Sequence, residues 1–398
     1  MATQILVRSL ADGKFATSEA LWTELFGHMS DAGPFLAPRW TATWVRIFGP
    51  SLRPELVAFC DHEHRPIGVC LLTARIRYGA LLPHVRWHLN TDGEPDSDSV
   101  VIEHNRLLAS VGREAEVHAA LARHAGHSRV DELRVSGIDE SAVAHLLQAF
   151  PGWRADVEWR ESPFVRLDAV RALGGDHLAI LTRNTRAQLR RSLARYAARG
   201  AVVVHAAGTA AEAESMLLEL MTLHKARWVA KGMGGGFASP RRRALHTAFV
   251  REATPAGEAQ LLRVTVAGET IAVLYNLVAH GKVNFYQSGI RYEADRHLRP
   301  GMVAHHLAVQ HNLALGMAEY DFLTSAPGQD RYKVSLSTDV RRLGWVTLYA
   351  PGWRTRYFFA VRAIRDAVAR KAPPEFQPSV GGEERESQFA RASHGRAP

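Results

Sequence analysis

Several groups of residues carry types and spacings that suit chemistry. Tyr320-Asp321-Phe322 and Tyr332-Lys333 bracket a Ser-Ala-Pro-Gly-Gln-Asp segment at the end of an expected strand, and loops at strand ends are where α/β folds place reacting groups. Asp321 suits accepting a proton or orienting an amine, and Lys333 suits holding an oxyanion, a phosphate or a carboxylate; a surface ion pair is the plainer reading. A second group is an expected helix start, Gly301-Met302-Val303, reached through Arg296, Arg299 and Pro300. Unpaired N–H groups and about half a positive charge at such an end suit a pyrophosphate, and an ordinary helix start with surface arginines is the alternative. Tyr286, Gln287 and Ser288 put polar groups into an apolar strand, where they serve either a substrate or the backbone. His224, Arg227 and Trp228, at i, i+3 and i+4 of an expected helix, suit a carboxylate or phosphate ligand, or compensate the helix C-terminus.

Other patterns exclude chemistry. The run Gly232 to Gly236 lacks the Lys-Ser/Thr of a phosphate-cradling loop and reads as a hinge or lid. No Gly-x-Ser-x-Gly elbow occurs, against an α/β-hydrolase. His62/His64, His118/His124/His127 and His305/His306 form no metal-ligand spacing, so no metal is expected. Cys60 and Cys70 are the only cysteines, too few for a disulfide scaffold or a four-thiolate zinc site, and a reducing cytoplasm fits. Asp12 and Lys14 interrupt the start before a signal-peptide core can form, and no apolar run reaches about 18 residues. Export and membrane spanning are therefore not expected.

These residues need a frame to position them. The chain has 398 residues, 46% of them hydrophobic and 22% charged, which excludes a collagen, a coiled coil or wholesale disorder and suggests two domains. A net charge of +9 favours an anionic partner: a phosphorylated cofactor, a nucleic acid or an acidic protein. The first half reads as mixed α/β, with helices at Ser18 to Met29, Glu114 to His124 and Glu140 to Phe150, a hairpin of Glu55 to Cys60 with Pro66 to Ile76, and a strand at Glu132 to Val135. The second half opens with a strand at Phe164 to Asp168 and a single helix from Asp176 to Arg199, whose Arg183, Arg186, Arg190, Arg191, Arg195 and Arg199 form either a solvated face or a contact for RNA or an acidic carrier protein. Helices over Ala210 to Lys231 and Pro240 to Arg251 precede a meander of Gln260 to Val266, Thr270 to Ala279 and Val283 to Ile290. A helix from Gly301, a strand Glu319 to Thr324, further strand over Val334 to Tyr349 and a helix Arg354 to Lys371 follow, then a polar disordered tail.

With these motifs in hand, the chain resembles the GNAT superfamily, and within it the FemABX-like and CelD-type acyltransferases with tandem GNAT-like domains. The resemblance rests on Phe35-Leu-Ala-Pro-Arg-Trp40, Asn184-Thr-Arg-Ala-Gln-Leu-Arg-Arg191, Leu223-His-Lys-Ala-Arg-Trp228, Tyr286-Gln-Ser-Gly289, Arg299-Pro-Gly301, and Tyr320-Asp-Phe322 followed by Tyr332-Lys333. It departs from the family in having a single glycine, Gly301, in the phosphate loop, and Ser325 where a glycine often follows the Asp-Phe strand.

The resemblance implies an α/β (α+β) fold of two GNAT-like domains, each a mixed, mostly antiparallel sheet flanked by helices: residues 1–163, residues 164–371 and a tail at 372–398. It implies direct acyl transfer to an amine without a covalent enzyme intermediate. The donor, an acyl-CoA or other acyl thioester, would lie where strands Val283 to Ile290 and Glu319 to Thr324 splay, with Gln287, Ser288 and Gly289 polarising its carbonyl. Arg296, Arg299, Gly301, Met302 and Val303 would hold its phosphates. Asp321, Lys333 and Tyr332 would be catalytic, and His224, Arg227, Trp228 and Tyr286 would shape the acceptor cleft. Acyl carrier protein or charged tRNA are further donors it leaves open, and a non-catalytic binding module for RNA or an anionic polysaccharide precursor is the alternative from another class.

Overall fold

The computed structural model describes residues 3–79, 82–229, 235–325 and 331–371. The first half runs β1 (Gln4–Ser9), α1 (Ala16–His28), α2 (Pro38–Leu52), β2 (Glu55–Cys60), β3 (Pro66–Gly79), β4 (Leu82–Leu89), β5 (Leu108–Ala109), α3 (Glu114–His127), β6 (Glu132–Asp139), α4 (Glu140–Ala149) and β7 (Arg154–Arg166). The connecting helices α5 (Leu167–Ala172), α6 (His177–Ile180) and α7 (Arg183–Ala197) follow. The second half repeats the plan: β8 (Val202–Ala206), α8 (Ala210–Val229), α9 (Pro240–Ala253), β9 (Ala259–Val266), β10 (Glu269–Ala279), β11 (Lys282–Ile290), α10 (Pro300–Ala314), β12 (Glu319–Asp321), α11 (Arg331–Leu336) and β13 (Asp339–Tyr349), closed by α12 (Trp353–Lys371).

Local chemistry fixes these elements. The β2–β3 turn forms because Asp61 Oδ1 accepts the N–H groups of Glu63 at 2.9 Å and Arg65 at 3.0 Å while His64 takes a φ of 61°. Ser239 caps α9 by accepting the Arg242 N–H, with Pro240 in the first turn. The expected single helix from Asp176 to Arg199 is two helices, because Asp176 caps α6 through the Leu178 N–H and Thr182 starts α7 through the Thr185 N–H. The strand expected at Phe164 to Asp168 is the end of the longer β7, and the expected 163/164 division falls inside that strand. Val334 to Tyr349 is α11 and then β13 rather than strand throughout.

All strands join one sheet in the order β1-β2-β3-β4-β6-β13-β7-β12-β11-β10-β9-β8, with β5 pairing β3 off this path. The order is nearly a palindrome, with β1 to β4 and β6 answering β8 to β11 and β12. The last strands are exchanged. β13, from the second half, pairs antiparallel with β6 of the first, and β7, from the first half, pairs with β12 of the second. β7 and β13 pair with each other from Phe164↔Asp339 to Arg154↔Tyr349, which makes the sheet continuous across the halves. No repeat is evident in the sequence, since the equivalent elements share a plan rather than residues.

Each half has its own core on one sheet face, around Trp87, Leu121 and Leu146 in the first and around Leu189, Val303 and Tyr320 in the second. On the other face a single core unites α1 and α2 with α8 and α9, so the halves close over a shared interior. Trp40 of α2 stands edge-on to Phe249 of α9 at 5.1 Å. Among the described residues, no helix is long and apolar enough to cross a membrane.

Candidate functional site

β11 runs antiparallel to β10 along its length but pairs with β12 through only Lys282↔Glu319, Val283↔Tyr320 and Asn284↔Asp321. β12 ends at Asp321 rather than at the expected Thr324, so among the described residues β11 has no strand partner on this side beyond Asn284, where the family resemblance implies a splay. The β10–β11 register passes from Asn276↔Phe285 to Tyr275↔Gln287, so Tyr286 is the extra residue of a bulge at the parting point.

The departing strand is held by the residues expected to be catalytic. Lys333, buried, donates from Nζ to the carbonyl oxygens of Phe322 at 2.8 Å and Leu323 at 3.3 Å, where Leu323 adopts a φ of 53°. Asp321 is fully buried; Oδ1 accepts from the Ser162 hydroxyl and the Leu323 N–H, both at 2.7 Å, and Oδ2 lies 3.1 Å from His104 Nε2 and 3.5 Å from Arg341 Nε. Burial opposes its charge, but these partners outweigh burial and hold its pKa at about 2. Asp321, expected to orient or deprotonate an amine, is thus a buried carboxylate held ionised by Ser162, His104 and the Leu323 N–H at the end of β12. Lys333 likewise spends its ammonium on backbone carbonyls rather than on a waiting oxyanion. Tyr332 is 37% exposed, with its ring 5.9 Å from that of His305. Residues 326–330 of the intervening loop lie outside the described residues.

The free edge of β11 carries Ser288, whose N–H donates to the Gln287 Oε1 at 3.0 Å and whose carbonyl faces His224 Nδ1 at 3.2 Å. Burial lowers the His224 pKa, so the neutral ring donates from Nδ1 to Ser288 and accepts the Gly236 N–H at Nε2, 3.1 Å away. His224 thus ties the β11 edge to the approach of α9. Of the Gly232–Gly236 run, Gly235 and Gly236 are described and the rest lies outside the described residues. Gly289 serves packing: a Cβ there would stand 2.6 Å from the Leu220 carbonyl oxygen of α8. Arg227 of α8 lies over the Tyr292 ring at 4.5 Å and donates to its hydroxyl, which sets it against the β11–α10 loop. Trp228 packs on His224 at 5.7 Å and against Gly235.

That loop is braced by α7, since Arg195 pairs with Asp295 and Arg199 with Glu293 at 3.2 Å, and the Arg299 N–H donates to Ser192 Oγ at 3.0 Å. Arg296 and Arg299 stay exposed. At the start of α10 the Val303 N–H bonds back to the Arg299 carbonyl and is consumed by the helix, while Gly301 and Met302 precede the first such bond. Nothing lies within 4 Å of a Cβ built on Gly301, so its face is open. The side chains of Met302 and Val303 point into the core.

The first half shows the same parting, with β4 and β6 paired only through Arg86↔Glu132, Trp87↔Leu133 and His88↔Arg134. There the gap is plugged by the chain itself. Asn105 donates from its N–H to Gly137 O at 3.1 Å and from Nδ2 to Leu89 O at 3.2 Å, and Gly137 passes so near Ile102 and Glu103 that a Cβ would stand 2.7 Å from both backbones. The plug also delivers Glu103 and His104 to the other half. Glu103 accepts the Thr324 N–H at 2.9 Å and hydroxyl at 2.6 Å; His104 bridges Asp321 and Asp139. Burial disfavours an imidazolium there, yet hydrogen bonds to Asp139 and Asp321 outweigh it and raise His104 to about 10.

Tyr286, expected to help shape the acceptor cleft, points from the bulge into the shared interior. Its ring lies 4.9 Å from that of His246, 5.4 Å from that of Tyr275 and 6.3 Å from that of Trp40. Glu94, 8% exposed, accepts from Trp44 Nε1 at Oε1, while Oε2 is buried with no hydrogen-bond partner. Burial and then the nearby Asp92 raise its pKa to about 8, partly offset by Trp44 and the Val100 N–H. His246, fully buried, has an unpartnered Nε2 and is lowered to about 3 by burial and then by Arg242. The Asp92 to Ser99 segment is dense in Asp, Ser, Gly and Pro and reads from sequence as a loop, with nothing to set Glu94 apart from Asp92, Asp96 and Asp98. Among the described residues, no group of three or more His, Cys, Asp or Glu could hold a metal ion.

Comparison with known proteins follows this geometry. Residues 183–334, from the start of α7 to α11, match the family described as the acetyltransferase (GNAT) domain. No curated protein matches the chain. Among solved structures, FemX is similar at 13% identity over 77% of this chain and 89% of its own, with a TM-score of 0.51. A conserved protein of unknown function from Bacteroides thetaiotaomicron is similar at 10% identity over 83% and 97%, with a TM-score of 0.53. L-PGS from Bacillus licheniformis is similar at 12% identity over 87% and 96%, with a TM-score of 0.50. At these identities the likeness is one of fold, and it extends over both halves.

Proposed function

We propose, for a chain whose residues 183–334 match the acetyltransferase (GNAT) domain family and whose fold is similar to that of FemX, an N-acyltransferase that passes an acyl group from an activated donor directly to an amine. The observation that carries this reading is the β11–β12 pairing that stops at Asn284, followed by the bulge at Tyr286, together with a start of α10 that is open at Gly301. An acyl thioester, from coenzyme A or an acyl carrier protein, is the donor class that suits such a crevice. Its carbonyl would take the Ser288 N–H in place of the Gln287 side chain, a donor fixed in direction before the reaction begins. Its phosphates would meet the Gly301 and Met302 N–H groups, with Arg296 and Arg299 alongside. Tyr332, at the exposed rim, is the candidate for contact with the carbonyl oxygen or a donor phosphate. Lys333 acts through the strand it holds, as a positioning residue. The plug in the first half leaves one working donor crevice per chain.

A second reading, aminoacyl-tRNA-dependent amide formation, is favoured by Arg183, Arg190 and Arg191, which stay exposed on α7 beside the same loop. Incubation of the purified protein with acyl-CoA, acyl-carrier and charged-tRNA pools, followed by mass spectrometry, separates these. A product formed from a thioester and insensitive to RNase supports the first reading, and RNase-sensitive transfer supports the second. Salt-dependent RNA binding without any transfer contradicts both and favours a binding module.

A further inference from the structure

The shared interior around Tyr286 holds two polar atoms that the fold buries and does not satisfy: Glu94 Oε2 from the first half and His246 Nε2 from the second. A buried acceptor without a donor is destabilising, so two of them near one aromatic ring need an explanation. Both are acceptors when Glu94 is ionised and His246 carries its proton on Nδ1, toward the Tyr275 hydroxyl at 3.4 Å. The walls are aromatic. Trp40 and Trp44 lie one turn apart on α2, Tyr286 faces Trp40 at 6.3 Å, and Phe35 stands 6.0 Å from Tyr286. Aromatic faces and unpaired acceptors together suit one class of group, an alkylammonium, which brings several N–H donors and a cation for the ring faces.

We propose that Glu94 Oε2, with His246 Nε2 and the Trp40 and Tyr286 rings, seats the primary ammonium of the acceptor, and that Glu94 takes its proton before attack. This rests on the acyl-transfer reading and names its acceptor class. The step balances. The ammonium gives one proton to Glu94, the neutral amine forms the C–N bond at the thioester carbonyl as the C–S bond breaks, and the second proton leaves with the thiol. Tyr286 sits on the bulge at the mouth of the donor crevice, so the seat and the crevice share one residue.

The electrostatics support this placement. An alkylammonium near 10.4 stands about 2 pK units above Glu94 at about 8, against about 6 above an ordinary glutamate, so the proton transfer is much less uphill. The charges facing Glu94 are Asp92 on its own loop, ionised with a pKa of about 2, and, around Tyr286, Glu103 from the plug and Arg242 from α9. Asp92 and Glu103 favour a cation in the seat, and Arg242 opposes it.

The test uses the full-length protein, intrinsic tryptophan fluorescence and n-butylammonium chloride as the probe, with 1-butanol as the uncharged control and Trp44→Phe to identify the signal. Butylammonium is expected to perturb Trp44, to bind at least tenfold tighter than butanol, and to gain about tenfold in affinity per pH unit from 6 toward 8, levelling off above. Glu94→Gln is expected to lose at least tenfold in affinity. Binding no tighter than butanol, or unchanged between pH 6 and 8, overturns the seat in the wild-type protein alone, whether or not Glu94→Gln folds. No donor is needed, so the outcome is independent of the acyl-transfer reading: a protein that binds butylammonium but transfers no acyl group from any pool keeps the seat and loses that reading.

Discussion

His104 Nε2 lies 3.1 Å from Asp321 Oδ2, with both residues buried, and this contact joins the plug of the first half to the point where β12 leaves β11 in the second. The segment Glu103 to Asn105 thus fills the space beside β6 in the first half and at the same time holds the end of β12 in the second. Asp139 and Arg341 complete the network from either side.

Asp321→Asn is expected to act on folding rather than on chemistry. Removing one partner of a buried charge pair typically costs about 3–5 kcal/mol, which denaturant titration will read. Turnover of the protein that remains folded should fall less than tenfold. An undiminished stability with turnover lost a thousandfold would restore Asp321 as the base.

The same pair predicts a pH dependence with two limbs. His104 has a folded pKa of about 10 against 6.5 for the free group, so its stabilisation is complete below pH 6.5, declines as pH rises and is lost by about pH 10. Asp321, at about 2 against 3.8, contributes above pH 3.8 and loses that contribution as pH falls through about 2. Unfolding free energies at pH 6.5 and pH 9.5 should differ in the wild type and differ much less in His104→Gln. Equal slopes in the two proteins would remove His104 from the account.

Two glycines that look alike in sequence separate in the structure. Gly289→Ala is expected to cost about 1–3 kcal/mol, the usual range for overpacking, because its Cβ meets the Leu220 carbonyl at 2.6 Å. Gly301→Ala has open space and should leave stability within about 0.5 kcal/mol while weakening the donor roughly tenfold, about 1.4 kcal/mol. Thermal unfolding and donor titration of both variants check this, and a destabilised Gly301→Ala with normal donor affinity would contradict it.

Much of the frame was legible because its signals are local. The meander, the turn at Asp61 to Arg65 and the α10 start are written in alternating apolar residues, short polar turns and a Pro-Gly pair, and the structure reproduces them. The parting of β11 and β12 came from resemblance, as did the tandem plan. What stayed hidden depends on contacts far apart in sequence. Asp321 reads as a reactive carboxylate until Ser162 and His104 arrive from 159 and 217 residues away. Glu94 and His246 become notable only when α2, α9 and β11 close around them, and the exchange of β7 and β13 has no marker in either strand.

The plugged first half predicts stoichiometry. Isothermal titration with the donor should give one site per chain although the two halves share a plan, and Asn105→Ala should lower stability by about 1–3 kcal/mol through the unpaired Leu89 carbonyl and Asn90 amide. Two donor sites per chain would show that the plug yields.

The most direct test of the donor crevice is amide hydrogen–deuterium exchange with and without whichever donor supports transfer. Protection is expected at Tyr286 to Gly289 and at Gly301 and Met302, with no change at Ile102 to Arg106. Transfer activity accompanied by protection elsewhere, with these two segments unaffected, would contradict the placement of the donor between β11 and β12.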